Sequence, residues 1–95
     1  MNGERHRRTI TVTNPQGLHM RPLQAFVEAT KQFQAEICVQ KKGQTERFNG
    51  RSMSQLLLLN VEHGQEVTVE AEGPDAAQAV ERLCQILLTI PAEDA

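Results

Sequence analysis

The chain has 95 residues, 39% of them hydrophobic and 23% charged, with a formal net charge of -2 at pH 7. That length supports one domain with one core and falls short of two, so residues 1–95 are expected to form a single domain. The composition excludes a disordered chain, and the charge balance implies no general attraction to nucleic acid.

The start of the chain is polar and charged where a signal peptide needs an apolar run, so a cytoplasmic location is expected. Arg5, His6, Arg7 and Arg8 are expected as a solvated arm leading into structure. RTITVT at 8–13 alternates, with Ile10 and Val12 on one side, and is rich in β-branched residues; it reads as a strand. Turn residues follow at 14–17. A helix is expected from about Met20 to Lys31, with Leu23, Phe26 and Val27 on its inner stripe and Glu28 and Lys31 outside. Pro22 fits its first turn, where an N–H has no helical partner to lose.

AEICVQ at 35–40 alternates through Ile37 and Val39, KKG at 41–43 suits a hairpin turn, and QTERF at 44–48 is the expected return strand. NGRS at 49–52 breaks it. Ser52 is placed to cap a short helix carrying Met53, Leu56, Leu57 and Leu59, although LLLL at 56–59 leaves helix and strand open on periodicity alone. That run is far too short to span a bilayer. VEHG at 61–64 is a turn, and EVTVEAEG at 66–73 is a strand with Val67, Val69 and Ala71 on one face. Asp75 marks the start of a last helix, whose Ala76, Ala79, Val80, Leu83 and Leu87 trace one stripe. The tail PAEDA is expected to fray. Cys38 and Cys84 match no metal or redox spacing and are expected as small packed thiols or half-exposed bystanders, without a disulfide.

The element order is thus β-α-β-β-α-β-α, with no repeat and no linker. An α+β fold satisfies it: a four-stranded, mainly antiparallel sheet with three helices covering its apolar face. The structured core is expected over about 8–88, with both ends frayed.

The chemistry concentrates in NPQGLHMRP at 14–22. His19 stands at the entrance of a helix, beside backbone N–H groups and the positive end of the helix dipole, a position that suits an anion. Arg21 follows two residues on and can supply charge-assisted hydrogen bonds to phosphoryl oxygens. Gly17 lets the backbone approach closely. These residues alone leave two readings, an anion-binding or phosphoryl-accepting histidine and an ordinary surface histidine in a turn. No carboxylate is fixed nearby in sequence to complete a triad, and no second histidine stands at metal spacing; hydrolytic chemistry and a metal site are unsupported.

GLHMRP at 17–22 resembles the active-site motif of HPr, the phosphocarrier protein of the bacterial phosphoenolpyruvate-dependent sugar phosphotransferase system. NGRSMSQLLLL at 49–59 resembles that family's serine-bearing short helix, and EVTVEAEGPDAAQAVERL at 66–83 its last strand and helix. The likeness runs from about Arg8 to Leu88. It implies the HPr-like open-faced β-sandwich and a carrier with a transient phosphohistidine, not a stand-alone enzyme, needing no cofactor. His19 matches the histidine that takes a phosphoryl group on Nδ1 from enzyme I and passes it to an EIIA domain. Arg21 matches the arginine that assists transfer, Pro22 the proline that starts the helix, and Gly17 and Leu18 the frame of the histidine loop.

Ser52 matches the serine that HPr kinase/phosphorylase modifies in many members. Met53 and Leu57 match positions on the apolar patch that docks partners, and Met20 is expected to join them around His19. A monomer is expected, with no nucleic-acid partner and no membrane insertion. The chain departs from the family pattern in three ways. It is about two residues longer between KKG and Ser52, which implies an altered hairpin or hairpin exit. Met20 is bulkier than the small residue usual after the histidine, and Ser54 stands where an apolar or aromatic residue is usual. A nitrogen-branch or regulatory carrier, or a non-catalytic α+β binding module, is the alternative.

Overall fold

Alternation in the strand at 66–72 sets the two sides of the molecule. Val67, Val69 and Ala71 are buried toward the helices, while Thr68 and Glu70 between them face the other way. In the computed structural model, which describes residues 4–88, the elements run β1 (Arg5–Thr11), α1 (Met20–Thr30), β2 (Glu36–Lys41), β3 (Arg47–Asn49), α2 (Met53–Leu59), β4 (Glu66–Glu72) and α3 (Ala76–Leu88). The sheet order is β1-β4-β2-β3, and every pairing is antiparallel. The expected α+β order and topology are therefore observed.

The helical side holds one core. Ile10, Ile37, Val39, Val67 and Val69 from the sheet join Leu23 and Phe26 of α1, Leu56 and Leu59 of α2, and Leu83 and Leu87 of α3. Each of these helices buries one stripe, as the spacing of its apolar residues dictates. LLLL resolves as helix, with Leu56 and Leu59 inside and Leu57 and Leu58 exposed. Both cysteines are free, and burial pushes both thiols up, against the opposing Arg47 charge at Cys38.

The far side of the sheet is polar. Glu70 lies in the central strand with a side chain only 8% exposed, and it pairs with Arg5 at 3.2 Å and with Arg47. Arg7 stands across from Glu70 and Arg5 across from Glu72 in the β1–β4 register. This corrects the expectation of a solvated arm: Arg5–Arg7 are the first residues of β1. The backbone register with Glu70–Glu72, with Arg5 bonded to both carboxylates, supplies the pairing that the local sequence does not display.

The return strand is also shorter than expected. It occupies Arg47–Asn49, while residues 44–46 stay exposed outside the sheet. Gln44, Thr45 and Glu46 offer nothing to bury, and Phe48, buried opposite Val39, anchors the pairing instead. The expected frayed tail, residues 91–95, lies outside the described residues.

Two long-range contacts fix the helices to the loops. Arg51 donates from Nη1 to the Thr30 carbonyl at 2.6 Å, and from Nη2 to the Phe33 and Ala35 carbonyls at 2.7 Å each. It thus satisfies carbonyls at and beyond the end of α1 that the helix leaves open. Asp75 accepts from the Gln34 and Ala35 N–H groups, both at 2.9 Å. The Gln34 N–H bond, with help from Ala35, holds this carboxyl below its usual value. Asp75 therefore does more than mark a helix start; it staples the entrance of α3 to the entrance of β2.

Candidate functional site at the start of helix α1

The loop between β1 and α1 is built before its histidine is placed. Val12 continues the strand edge, donating to the Gln65 carbonyl and accepting from Gly64 N–H, both at 2.9 Å. Asn14 then closes a turn twice: its carbonyl accepts from Gly17 N–H at 2.9 Å, and its side-chain Oδ1 accepts from Gln16 N–H at 3.1 Å. Gly17 has φ +73°, and a Cβ there would meet the Val61 carbonyl oxygen at 2.4 Å. Leu18 N–H donates to that same carbonyl at 2.9 Å. The loop is clamped to the segment that follows α2.

His19 comes next, as the N-cap of α1 in an extended conformation. Its carbonyl accepts from Leu23 N–H at 3.3 Å, but its side chain makes no capping bond. The half-buried ring instead meets Asn14, with Nδ2 of the amide 3.3 Å from Nε2 of the imidazole. Asn14 is only 2% exposed. No acidic residue occupies the first turn of α1, so nothing there opposes an anion at the positive end of the dipole.

The residues expected at the site divide by what they expose. Leu18 and Pro22 are buried and hold the backbone, with Leu18 packed in the core. Met20, 54% exposed, and Arg21 are at the surface beside the histidine. Arg21 and Gln24 of α1 share a shallow concavity with Met53 of α2. This joins the histidine-bearing helix start to the serine-bearing one. Ser52 is the N-cap of α2, as expected; its Oγ accepts from Gln55 N–H at 3.3 Å and lies 3.2 Å from the Ser54 hydroxyl. Leu57 and Leu58 are 44% and 74% exposed on α2.

One member of the site escaped the sequence reading. Asn14 lies five residues before His19, and an asparagine opening an Asn-Pro turn is the signal that it folds its amide back into the loop. Among the described residues, no three metal-ligating side chains come together. None of the described helices is long and apolar enough to cross a membrane.

Comparison with known proteins gives this geometry a family. The family model described as the PTS HPr component phosphorylation site matches residues 6–88. The phosphocarrier protein HPr of Vibrio cholerae is 35% identical over 82 residues, covering 86% of this chain and 94% of that protein. HPr of Haloferax volcanii is 36% identical over 86 residues, covering 90% and 97%. Among solved structures, HPr-C-His from Thermoanaerobacter tengcongensis superposes with a TM-score of 0.78 at 32% identity, covering 86% of this chain and 90% of that one. A match spanning nearly every described element, from β1 to α3, leaves one assignment: the chain belongs to the HPr phosphocarrier family of the phosphotransferase system.

Proposed function

We propose that this protein carries a phosphoryl group on His19, taking it from phosphorylated enzyme I and giving it to EIIA domains in the cytoplasm. The observation that carries this reading is the imidazole left out of the cap: His19 caps α1 with its backbone while its ring makes no capping bond. Nδ1 then acts as the nucleophile. The Nδ1–P bond forms as the donor's bond to phosphorus breaks. The added charge lies at the N-terminal end of an eleven-residue helix, whose dipole favours it. Arg21, two residues on, assists by meeting the phosphoryl oxygens.

Phosphoryl transfer depends chiefly on positioning and charge, and an exposed site lets each partner bring its own groups into line. Met20, Met53 and Leu57 form the docking patch, with flexible methionines suited to a surface used in turn by different proteins. Such alternation favours small, short-lived interfaces, and the protein acts as a monomeric domain. Gly17, Leu18 and Pro22 serve the transfer by shaping the backbone that presents the ring.

Incubation with phosphoenolpyruvate and enzyme I tests the assignment. The parent is expected to gain one acid-labile, base-stable phosphoryl group by intact mass, and H19A to gain none while keeping its fold by circular dichroism. Equal labelling of H19A would move the acceptor to His6 or His63.

A further inference from the structure

A polar side chain as buried as Asn14 is costly unless its hydrogen bonds are made, and Asn14 makes them within the histidine loop. Its Oδ1 accepts from Gln16 N–H. A backbone N–H can only donate, so this contact fixes which way the amide points and leaves Nδ2 facing Nε2 of His19. An amide NH2 also only donates. Nε2 must therefore present its lone pair, and the neutral ring keeps its single proton on Nδ1.

We propose that Asn14 is a positioning residue that holds the resting ring of His19 as the Nδ1–H tautomer and, once Nδ1 has exchanged its proton for a phosphoryl group, guards the ring against protonation at Nε2. This rests on His19 being the acceptor. Loading requires the Nδ1–H bond to break, its proton going to water and its electron pair remaining on Nδ1. That pair forms the Nδ1–P bond as the donor's bond to phosphorus breaks with its own pair staying on the donor. The ring stays neutral, Nε2 still meets the amide N–H, and the loop has no need to move. Loss of the phosphoryl group to water returns the P–N electron pair to Nδ1. That departure is easy when Nε2 carries a proton, because the leaving group is then neutral imidazole and not imidazolate. Asn14 gives Nε2 a hydrogen bond without a proton to surrender, and so lengthens the life of the phosphoryl group between partners.

Asn14→Asp separates this role from loop building. The new carboxylate still accepts from Gln16 N–H, keeping the turn, but it offers an acceptor to Nε2 and favours a proton there. Long-range 15N–1H correlation spectra of the neutral ring are expected to show the Nδ1–H tautomer in the parent and Nε2–H in N14D. For the second readout, phosphoramidate loads the histidine without any partner, and loss of the group at neutral pH is followed by intact mass. Decay is expected to be about threefold to tenfold faster in N14D, because an adjacent carboxylate raises the Nε2-protonated fraction by up to about an order of magnitude. A parent with the Nε2–H tautomer, a variant that keeps Nδ1–H, or equal decay rates would each overturn the proposal. Neither readout uses enzyme I. A parent that shows Nδ1–H but takes no label from enzyme I would refute the carrier reading while leaving the tautomer assignment intact.

Discussion

A Cβ built on Gly17 would stand 2.4 Å from the Val61 carbonyl oxygen, at a φ of +73° that residues with side chains rarely adopt. The same carbonyl receives Leu18 N–H, so an intruding methyl pushes on the bond that seats the residue just before His19. Gly43 provides the control. Its φ of +89° is as unusual, yet a Cβ there would meet nothing within 4 Å. Gly43→Ala should therefore cost only backbone strain, about 1 kcal/mol, whereas Gly17→Ala should cost about 2–3 kcal/mol through strain and steric conflict together. Chemical denaturation of the two variants measures the difference. Amide exchange at Leu18 should also quicken in G17A alone. Equal losses would mean that the approach to Val61 relaxes freely and that the loop is held by other contacts.

Helix α2 is short, at seven residues, and its start carries a large share of its stability. Ser52 supplies the side-chain acceptor for Gln55 N–H, and Asn60 ends the helix in a left-handed conformation at φ 53°. Removing the hydroxyl in S52A should lower stability by about 1 kcal/mol, a fall of roughly 4–8 °C in Tm for a domain of this size. Aspartate caps as well as serine, so S52D should keep the parent's Tm. It also sets a negative charge at the start of α2, next to Met53, which shares a concavity with Arg21. Transfer from enzyme I should then slow in S52D and stay near the parent's rate in S52A. The reverse pattern, slow S52A and normal S52D, would make Ser52 a structural cap with no part in charge-based control. This helix was legible in the sequence through one local signal, the capping serine after a turn, because the spacing of its apolar run left helix and strand open. The edges of the sheet were not. Arg5–Arg7 become strand by pairing with Glu70–Glu72 of β4, more than sixty residues away, with Arg5 bonded to both carboxylates, and β3 shrinks to three residues because Phe48 is its only buried anchor.

At the scale of the whole molecule, the site depends on contacts between segments far apart in the chain. The histidine loop leans on Val61 and Gln65, Arg51 ties the residue before Ser52 to the end of α1, and Asp75 ties α3 to the strand entrance at Gln34 and Ala35. The histidine and its arginine could be read from GLHMRP, since helix entrances are written locally. Asp75's bond to the entrance of β2 could not, because its partners are forty or more residues away, and for Asn14 the Asn-Pro turn signals only that the amide folds into the loop, not that it meets the ring. Asp75 makes this long-range support measurable. Its folded-state carboxyl is held below the usual value by the Gln34 and Ala35 N–H groups. Its contribution is therefore complete above the unfolded carboxylate's pKa and is lost as the pH falls through the lower, folded value. An asparagine side chain in its place would keep an acceptor oxygen but no charge, so Asp75→Asn should melt below the parent at neutral pH. The gap should close as both are acidified past the carboxylate range, since protonation makes the parent's side chain neutral too. Thermal melts of the two proteins across that range decide the matter. A gap that persists unchanged in acid would assign the effect of the substitution to packing and not to the ionised staple.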